Sequence, residues 1–316
     1  MTGKKLAKGI LATTAGALAL MTASHAAAQT YADFASSCVG TANVACIAQI
    51  GDGNNTSIDQ SNAQTSKALV YIQGDNNGTG NVASVSSGAL TRYEVVQPAN
   101  NNGNNGGSNN GGSNNGGGNG GSNNGGSNNG GGNGGSNNGG SNNGNGNGNK
   151  QPVVVTTAAI AIPANLPSGT IVQRGPNNSA EVRIQGSNND FYVSQEIGGN
   201  WAAQRITGSG NTAVIIQNGN DTASQTQIGN SNVAYVKQSS GANNATLYQQ
   251  DSTSEILLEQ SGGASATLSQ YGGNNDIALR QTGVVTASIT QYGNRSIAID
   301  QQAGMAGASA IAITQY

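Results

Sequence analysis

Side chains that could act as nucleophiles, bases or metal ligands are scarce in this sequence of 316 residues. The only histidine, His25, lies within a predicted signal peptide, so the mature chain would have no imidazole. Serine and cysteine nucleophiles usually need imidazole as their base, and many zinc sites need it as a ligand. The 14 acidic residues are scattered along the chain rather than clustered. The sequence therefore predicts no enzyme, no cofactor, no metal site and no small-molecule substrate.

The two cysteines, Cys38 and Cys46, are the remaining reactive pair. Seven residues separate them, which excludes a redox CxxC motif. In an oxidising compartment this spacing favours a disulfide that closes a short loop. The alternative is two independent, small buried side chains.

The composition argues against an ordinary globular enzyme and against a nucleic-acid-binding protein. Only 8% of the residues are charged and 4% are aromatic, whereas 50 are glycine. The formal net charge is -2, and loss of residues 1–28 would leave nine basic against 14 acidic residues. No basic patch is available to neutralise phosphates. Such a composition is typical of repeats, of low complexity, or of both.

Export is predicted by the first 28 residues. Three lysines precede a largely apolar stretch over residues 9–21, and Ala26–Ala28 supplies the small residues that a signal peptidase requires. The apolar stretch is shorter than the roughly 20 residues that span a bilayer. We therefore expect cleavage after Ala28 and a secreted mature chain that begins at Gln29.

The remaining chain divides at a low-complexity segment. Residues 101–149 consist of 22 Gly, 21 Asn and 6 Ser, which cannot bury apolar surface and so favour a flexible tether. An aggregating, Asn-rich module is the alternative, because Asn ladders can stabilise cross-β stacks. The predicted organisation is a signal peptide (1–28), an N-terminal segment with a few weak repeats (29–98), a disordered linker (99–150) and a repeat domain (151–316).

Glutamine recurs with a period of about 10.5 residues after the linker. Earlier members of the series are Gln173, Gln185, Gln195 and Gln204. The regular members are Gln217, Gln227, Gln238, Gln249, Gln260, Gln270, Gln281, Gln291, Gln301 and Gln315.

Each of these glutamines ends a short segment in which aliphatic residues alternate with mostly polar ones. Side chains alternate between the two faces of a strand, so the aliphatics and the glutamine share one face. We predict that the glutamines form stacked amide ladders beside an aliphatic core. The core aliphatics are Ile215, Leu247, Leu268, Ile277, Leu279, Ile289, Ile297, Ile299, Ile311 and Ile313.

Turn residues follow most of the glutamines, because Gly and Asn tolerate the positive φ of tight turns. The predicted turn residues are Gly229, Asn232, Gly272, Asn274 and Gly293. One strand-turn-strand unit of about 21 residues cannot be stable alone, but stacked units pair with the coils above and below. The predicted fold is an all-β solenoid, or cross-β stack, of about seven coils after the linker.

The pattern Gln-x-Gly-x-x-Asn-x-Ala resembles the curlin repeat, the repeat of curli amyloid fibre subunits in bacterial biofilms. The fullest match spans residues 227–238, and weaker ones begin at Gln49 and Gln73. The resemblance implies an extracellular, cell-surface structural subunit that self-assembles into fibres for adhesion and aggregation. It also implies export through an outer-membrane curli-type pore and a role as either the major subunit or the nucleator. The alternative is a monomeric β-solenoid that binds ice or a glycan.

Overall fold

The computed structural model describes residues 18–20, 30–95, 152–304 and 310–316. Within these ranges the chain forms one short helix and two ten-stranded sheets. The predicted linker and most of the predicted signal peptide lie outside the described residues. The chain up to Glu94 and from Val153 onward forms one compact unit.

The helix α1 spans Tyr31–Ser37. Sheet A contains, in spatial order, β1 (Leu18–Leu20), β2 (Val44–Ile50), β4 (Lys67–Gln73), β8 (Ser179–Gln185), β10 (Trp201–Thr207), β12 (Thr222–Ile228), β14 (Asn244–Gln250), β16 (Ser265–Tyr271), β18 (Thr286–Tyr292) and β20 (Ala310–Gln315). Sheet B contains, in spatial order, β3 (Ser57–Gln64), β7 (Thr170–Pro176), β9 (Asp190–Glu196), β11 (Thr212–Asn218), β13 (Val233–Ser239), β15 (Glu255–Ser261), β17 (Asp276–Thr282), β19 (Ser296–Gln302), β5 (Leu90–Val95) and β6 (Pro152–Thr157).

From β2 to β4 and again from β7 to β20, successive strands alternate between the two sheets, so the chain winds as a β-solenoid. Each coil contributes one strand to sheet A and one to sheet B, and equivalent residues of neighbouring coils stack in register, as Gln217 does on Gln238. The solenoid has about nine turns of about 22 residues. The predicted all-β solenoid is confirmed.

Most strands have seven residues, of which the second, fourth and sixth point between the sheets. In β16 these are Ala266, Leu268 and Gln270, all at most 2% exposed. A single strand with two aliphatic residues buries too little surface to offset the entropy of ordering it. Stacking extends each inward position into a continuous column, and the main hydrophobic cluster runs along these columns through the solenoid.

The solenoid begins before the linker and has more coils than the seven predicted. In sheet A, β4 lies between β2 and β8, and in sheet B, β3 pairs with β7. The second coil is therefore interrupted: the chain leaves it at Gly78 and re-enters at Gly169. A Cβ on Gly78 would lie 2.7 Å from the Gly169 Cα, so this close junction requires glycine. The linker is part of an insertion within one coil.

The helix covers the outer face of sheet A at the N-terminal end. Its N-cap, Thr30, accepts a hydrogen bond from the Asp33 backbone in a capping box. Phe34 is 1% exposed and packs against outward side chains of β2 and β4. The structure joins Cys38, just after the helix, to Cys46 in β2 through a disulfide, with their Cα atoms 6.1 Å apart.

Candidate functional site

A ladder of buried glutamine amides runs along the inner face of sheet B. In each step the Nε2 atom of one glutamine donates to the Oε1 atom of the next coil, at 2.6–2.9 Å. We call this the sheet B ladder; its members are Gln60, Gln173, Gln195, Gln217, Gln238, Gln260, Gln281 and Gln301. Seven of its eight members follow the linker, as the period predicts, and Gln60 and Gln301 are its two ends.

The second amide hydrogen of these glutamines holds the two sheets together. Gln217 Nε2 also donates to the Trp201 carbonyl oxygen at 2.9 Å, and Gln238 Nε2 donates to that of Thr222 at 2.9 Å. Both acceptors are first residues of sheet A strands. Each interior amide of the ladder therefore uses both donors and its acceptor, which is what a buried polar group requires.

A second ladder follows sheet A but covers only its C-terminal half. Its Nε2–Oε1 distances are 2.8–3.1 Å, and its members are Gln227, Gln249, Gln270, Gln291 and Gln315. We call this the sheet A ladder. In the coils below, Ile206 and Ile184 occupy the same column. Gln227 Oε1 consequently has no hydrogen-bond partner among the described residues.

Two early members of the glutamine series do not belong to these ladders. Gln185 is exposed because it is the seventh residue of β8, and Ile184 takes the inward position instead. Gln204 is buried, but it lies two residues before the ladder position, where its Nε2 donates to Gln225 Oε1 at 3.2 Å. The period alone could not reveal these one- and two-residue offsets.

The ten predicted core aliphatics all lie between the two sheets. Those in the interior coils are almost fully buried: Ile215, Leu247, Leu268, Ile277, Leu279 and Ile289 are each at most 1% exposed. Those of the last two strands are only partly buried and pack against the core from its end: Ile297, Ile299, Ile311 and Ile313. The C-terminal end of the core is thus incompletely covered.

The predicted turn residues play two different roles. Gly229, Gly272, Asn274 and Gly293 have positive φ, as the turn argument requires. Asn232, in contrast, is fully buried, and its Oδ1 accepts a hydrogen bond from the Ser254 backbone one coil later.

Asn232 belongs to a corner ladder that the sequence argument missed. Each member's Oδ1 accepts from the backbone of its successor, and several also accept from the successor's Nδ2; the members are Asn54, Asn77, Asn189, Asn211 and Asn232. The recurrence of Asn three residues after the turn Gly was the available signal.

Several carboxylates lie where burial works against their charge. Burial raises the pKa of Asp221, although hydrogen bonds from Asn243 oppose this effect. Burial also raises the pKa of Glu255, and the neighbouring charge of Asp276 raises it further. Burial alone raises the pKa of Asp276. The folded coil is therefore more stable when these carboxyl groups are protonated than when they are charged.

The outer faces of the two sheets differ. On sheet A, exposed hydroxyl side chains form a column through Thr246, Thr267 and Ser288. Beside it the rings of Tyr271 and Tyr292 stack with their centroids 5.2 Å apart. On sheet B, outward apolar residues are covered by the two arms of the insertion.

The described part of the chain contains no group of three or more His, Cys, Asp or Glu that could hold a metal ion. It also contains no helix long and apolar enough to cross a membrane.

Stacked strands with inward glutamines, in every coil of sheet B and in the later coils of sheet A, are the structural form of the repeat. Residues 168–196 match the curlin associated repeat. The match covers β7 to β9 and confirms the resemblance there. The fullest copy of the Gln-x-Gly-x-x-Asn-x-Ala motif lies further along the chain, at 227–238. Comparison with curated proteins and with solved structures finds no match. The curlin repeat family is structural, and the repeat together with the β-solenoid fold suggests a curli-like structural subunit.

Proposed function

We propose that this chain is an exported subunit that self-assembles into extracellular fibres of the curli type, which serve the biofilm matrix, adhesion and aggregation. The observation that carries the proposal is the match between the two ends of sheet A. Among the described residues, β20 has one neighbouring strand, β18, and its Ile311 and Ile313 remain partly buried. A further strand with the same inward pattern would complete their burial.

The first long strand of the same sheet has that pattern. Ala45, Ile47 and Gln49 of β2 occupy the columns that end at Ile311, Ile313 and Gln315 of β20. A second copy stacked with its β2 against β20 would continue every column in register. Such a contact is heterologous, so repeated addition produces an open fibre rather than a closed oligomer.

The amide ladders also have a direction that favours head-to-tail addition. Each Nε2 donates toward the C-terminal end, so Gln315 is the last donor of the sheet A ladder, while Gln60 is the first acceptor of the sheet B ladder. Stacking two copies head to tail places the donors of one against acceptors of the next. A head-to-head stack would place like groups together.

Export precedes assembly in this proposal. Residues 1–28 would direct secretion, and their removal would take away β1, leaving β2 as the first strand of sheet A. An outer-membrane pore of the curli type would pass the chain to the cell surface, where it acts as either the major subunit or the nucleator. N-terminal sequencing of the secreted protein should begin at Gln29; an uncleaved chain retained in the cell would contradict this step.

The proposal is tested by leaving the purified mature chain at neutral pH and examining it by electron microscopy and fibre diffraction. We expect fibres with a meridional spacing of roughly 4.8 Å, the distance between stacked strands. A chain that remains a soluble monomer under these conditions, even with sonicated seeds, would refute fibre assembly.

A matched pair of variants tests the β20 edge itself. Ile313→Lys puts a charge into the partly buried column, whereas Thr314→Lys adds the same charge on the exposed outer face next to it. Because Ile313 lies in the last strand, we expect the monomer to stay folded in both. Seeded elongation should nearly stop in Ile313→Lys and continue in Thr314→Lys. Equal elongation rates would show that β20 is not part of the interface between subunits.

The second candidate function is a monomeric binding module for ice or a glycan. It is favoured by the exposed hydroxyl column of Thr246, Thr267 and Ser288 on the flat outer face of sheet A. Binding of the soluble chain to ice or to an insoluble polysaccharide, lost on replacing these three residues with lysine, would support it. Fibre formation without such binding supports the first proposal.

A further inference from the structure

Within the described ranges, the C-terminal edge of sheet B is covered by another strand, whereas that of sheet A is not. The strand next to β19 is β5, with Thr91 paired to Ile299 in parallel orientation, and β6 lies beyond β5. Both strands belong to the insertion in the second coil, far from β19 in the sequence. The insertion therefore supplies the strand that would otherwise be missing at this end.

Side-chain contacts hold β5 against β19. Arg92 Nη1 lies 3.7 Å from Asp300 Oδ2 and donates to Gln302 Oε1 at 3.2 Å. Leu90 at the start of β5 is fully buried, in the cluster against which Ala298 packs. These contacts fix the position of β5 on β19.

Two antiparallel arms carry β5 and β6 to this position. The arms pair at Asn81 with Pro167 and at Ser86 with Ala161, and lie across the outer face of sheet B. There they bury an outward apolar column formed by Val214, Tyr235, Leu257 and Ala278. We call the two arms, residues 79–89 and 158–168, the strap.

A charged anchor fixes the strap near its end. Arg280 of β17 donates to the carbonyl oxygens of Ala158 and Ala159 at 2.9 and 3.3 Å, and its guanidinium also pairs with Glu259 at 2.9 Å. The strap is therefore held at the side of the solenoid independently of β5. Release of β5 from β19 does not require release of the strap.

We infer that β5 is an internal competitor of subunit addition: it occupies the place on β19 that strand β3 of a second copy would take. This inference rests on the proposed function. An incoming copy can pair its β2 with the open β20 edge, but its β3 reaches β19 only after β5 has moved away. β6 is itself a poor template, because Pro152 has no N–H and proline blunts sheet edges. Growth at this end is consequently a two-step reaction, in which docking through sheet A precedes displacement of β5.

The test weakens β5 and leaves the strap intact. Arg92→Glu replaces the ion pair with Asp300 by a repulsion, and Arg295→Glu makes the same charge change at an exposed turn of the same end, where the side chain forms no ion pair with a described residue. We expect seeded elongation, followed by thioflavin fluorescence with wild-type seeds, to be about fivefold faster in Arg92→Glu, a factor that corresponds to about 1 kcal/mol. Arg295→Glu should elongate at the wild-type rate.

Hydrogen exchange of the soluble form provides the second measurement, which does not depend on fibres. The amides of β19 should exchange faster in Arg92→Glu than in the wild type or in Arg295→Glu, because β5 no longer covers them. If all three proteins form fibres with equal elongation rates, or if hydrogen exchange of the β19 amides is unchanged in Arg92→Glu, the role of β5 as a competitor is refuted. The proposed function would then remain intact. Fibres from none of the three would refute the proposed function and the competitor with it.

Discussion

Gln260 lies in the middle of the sheet B ladder, and its replacement by leucine tests whether the ladder stabilises the solenoid. The residue is 2% exposed, accepts from Gln238 at 2.9 Å, and donates to Gln281 at 2.8 Å and to the Asn244 carbonyl oxygen at 3.1 Å. Leucine has a similar size but can neither donate nor accept. The substitution leaves one ladder donor and one ladder acceptor buried without partners.

Each orphaned group costs about 1–3 kcal/mol, so the two together cost about 2–6 kcal/mol. Burial of an aliphatic side chain in place of the amide offsets about 1–2 kcal/mol. We therefore expect Gln260→Leu to lower the free energy of unfolding by a net of about 2.5 kcal/mol, within a range of about 0–5 kcal/mol. Urea unfolding of the freshly purified, dilute monomer, followed by far-UV circular dichroism, measures this value.

The control is Gln185→Leu, the same chemical change at an exposed glutamine outside both ladders. It should alter the free energy of unfolding by less than about 0.5 kcal/mol, as surface substitutions usually do. Equal losses in the two variants would refute the ladder argument, because they would show that the inward position of the amide has no energetic effect.

Three further predictions concern other parts of the chain. Burial raises the pKa of Glu255 and of Asp276, so their contribution to stability is present at low pH and is lost as the pH rises through their folded-state pKa values. The midpoint temperature of thermal unfolding should therefore rise when the pH is lowered from 7 to about 4.5, and it should rise less in Glu255→Gln. A pH profile in that variant equal to that of the wild type would contradict the assignment. Deletion of residues 106–140 should leave unfolding and seeded elongation nearly unchanged if the linker is a tether, and a large slowing would show that it joins the core. Cys46→Ser should lower the free energy of unfolding by about 2–3 kcal/mol, because it opens the short disulfide loop. It should increase proteolysis of α1 without affecting the sheet B ladder, and an equal increase in proteolysis along the whole chain would contradict a local role.

The parts of the fold that the sequence predicted are those governed by local periodicity. The spacing of Gln238, Gln260 and Gln281 is sufficient to place them in one column, because alternation along a strand decides which face each side chain takes. The same reasoning could not tell Gln185 from Ile184 as the inward residue of β8, since a shift by one position exchanges the two faces.

Long-range pairing was beyond local periodicity. Gln60 donates to Gln173 across 113 positions of sequence, and nothing in the spacing of the later glutamines reveals that contact. One signal for the strap was available: Val214, Tyr235 and Leu257 are apolar at outward positions, where the later strands of sheet A have Thr246, Thr267 and Ser288. An apolar outer face requires a covering element.

The glycine junction in the second coil also determines when the N-terminal strands can fold. An ordinary coil closes over about 21 residues, but the second coil closes only after Gly169 has returned to Gly78. Closing this longer loop costs about 1.3 kcal/mol more entropy than closing an ordinary coil, because the cost rises with the logarithm of length. A ribosome synthesises the N-terminal strands first, yet β7, the partner of β3, emerges about 110 residues after β3. The later coils, which close locally, therefore form the template on which the first strands complete the solenoid.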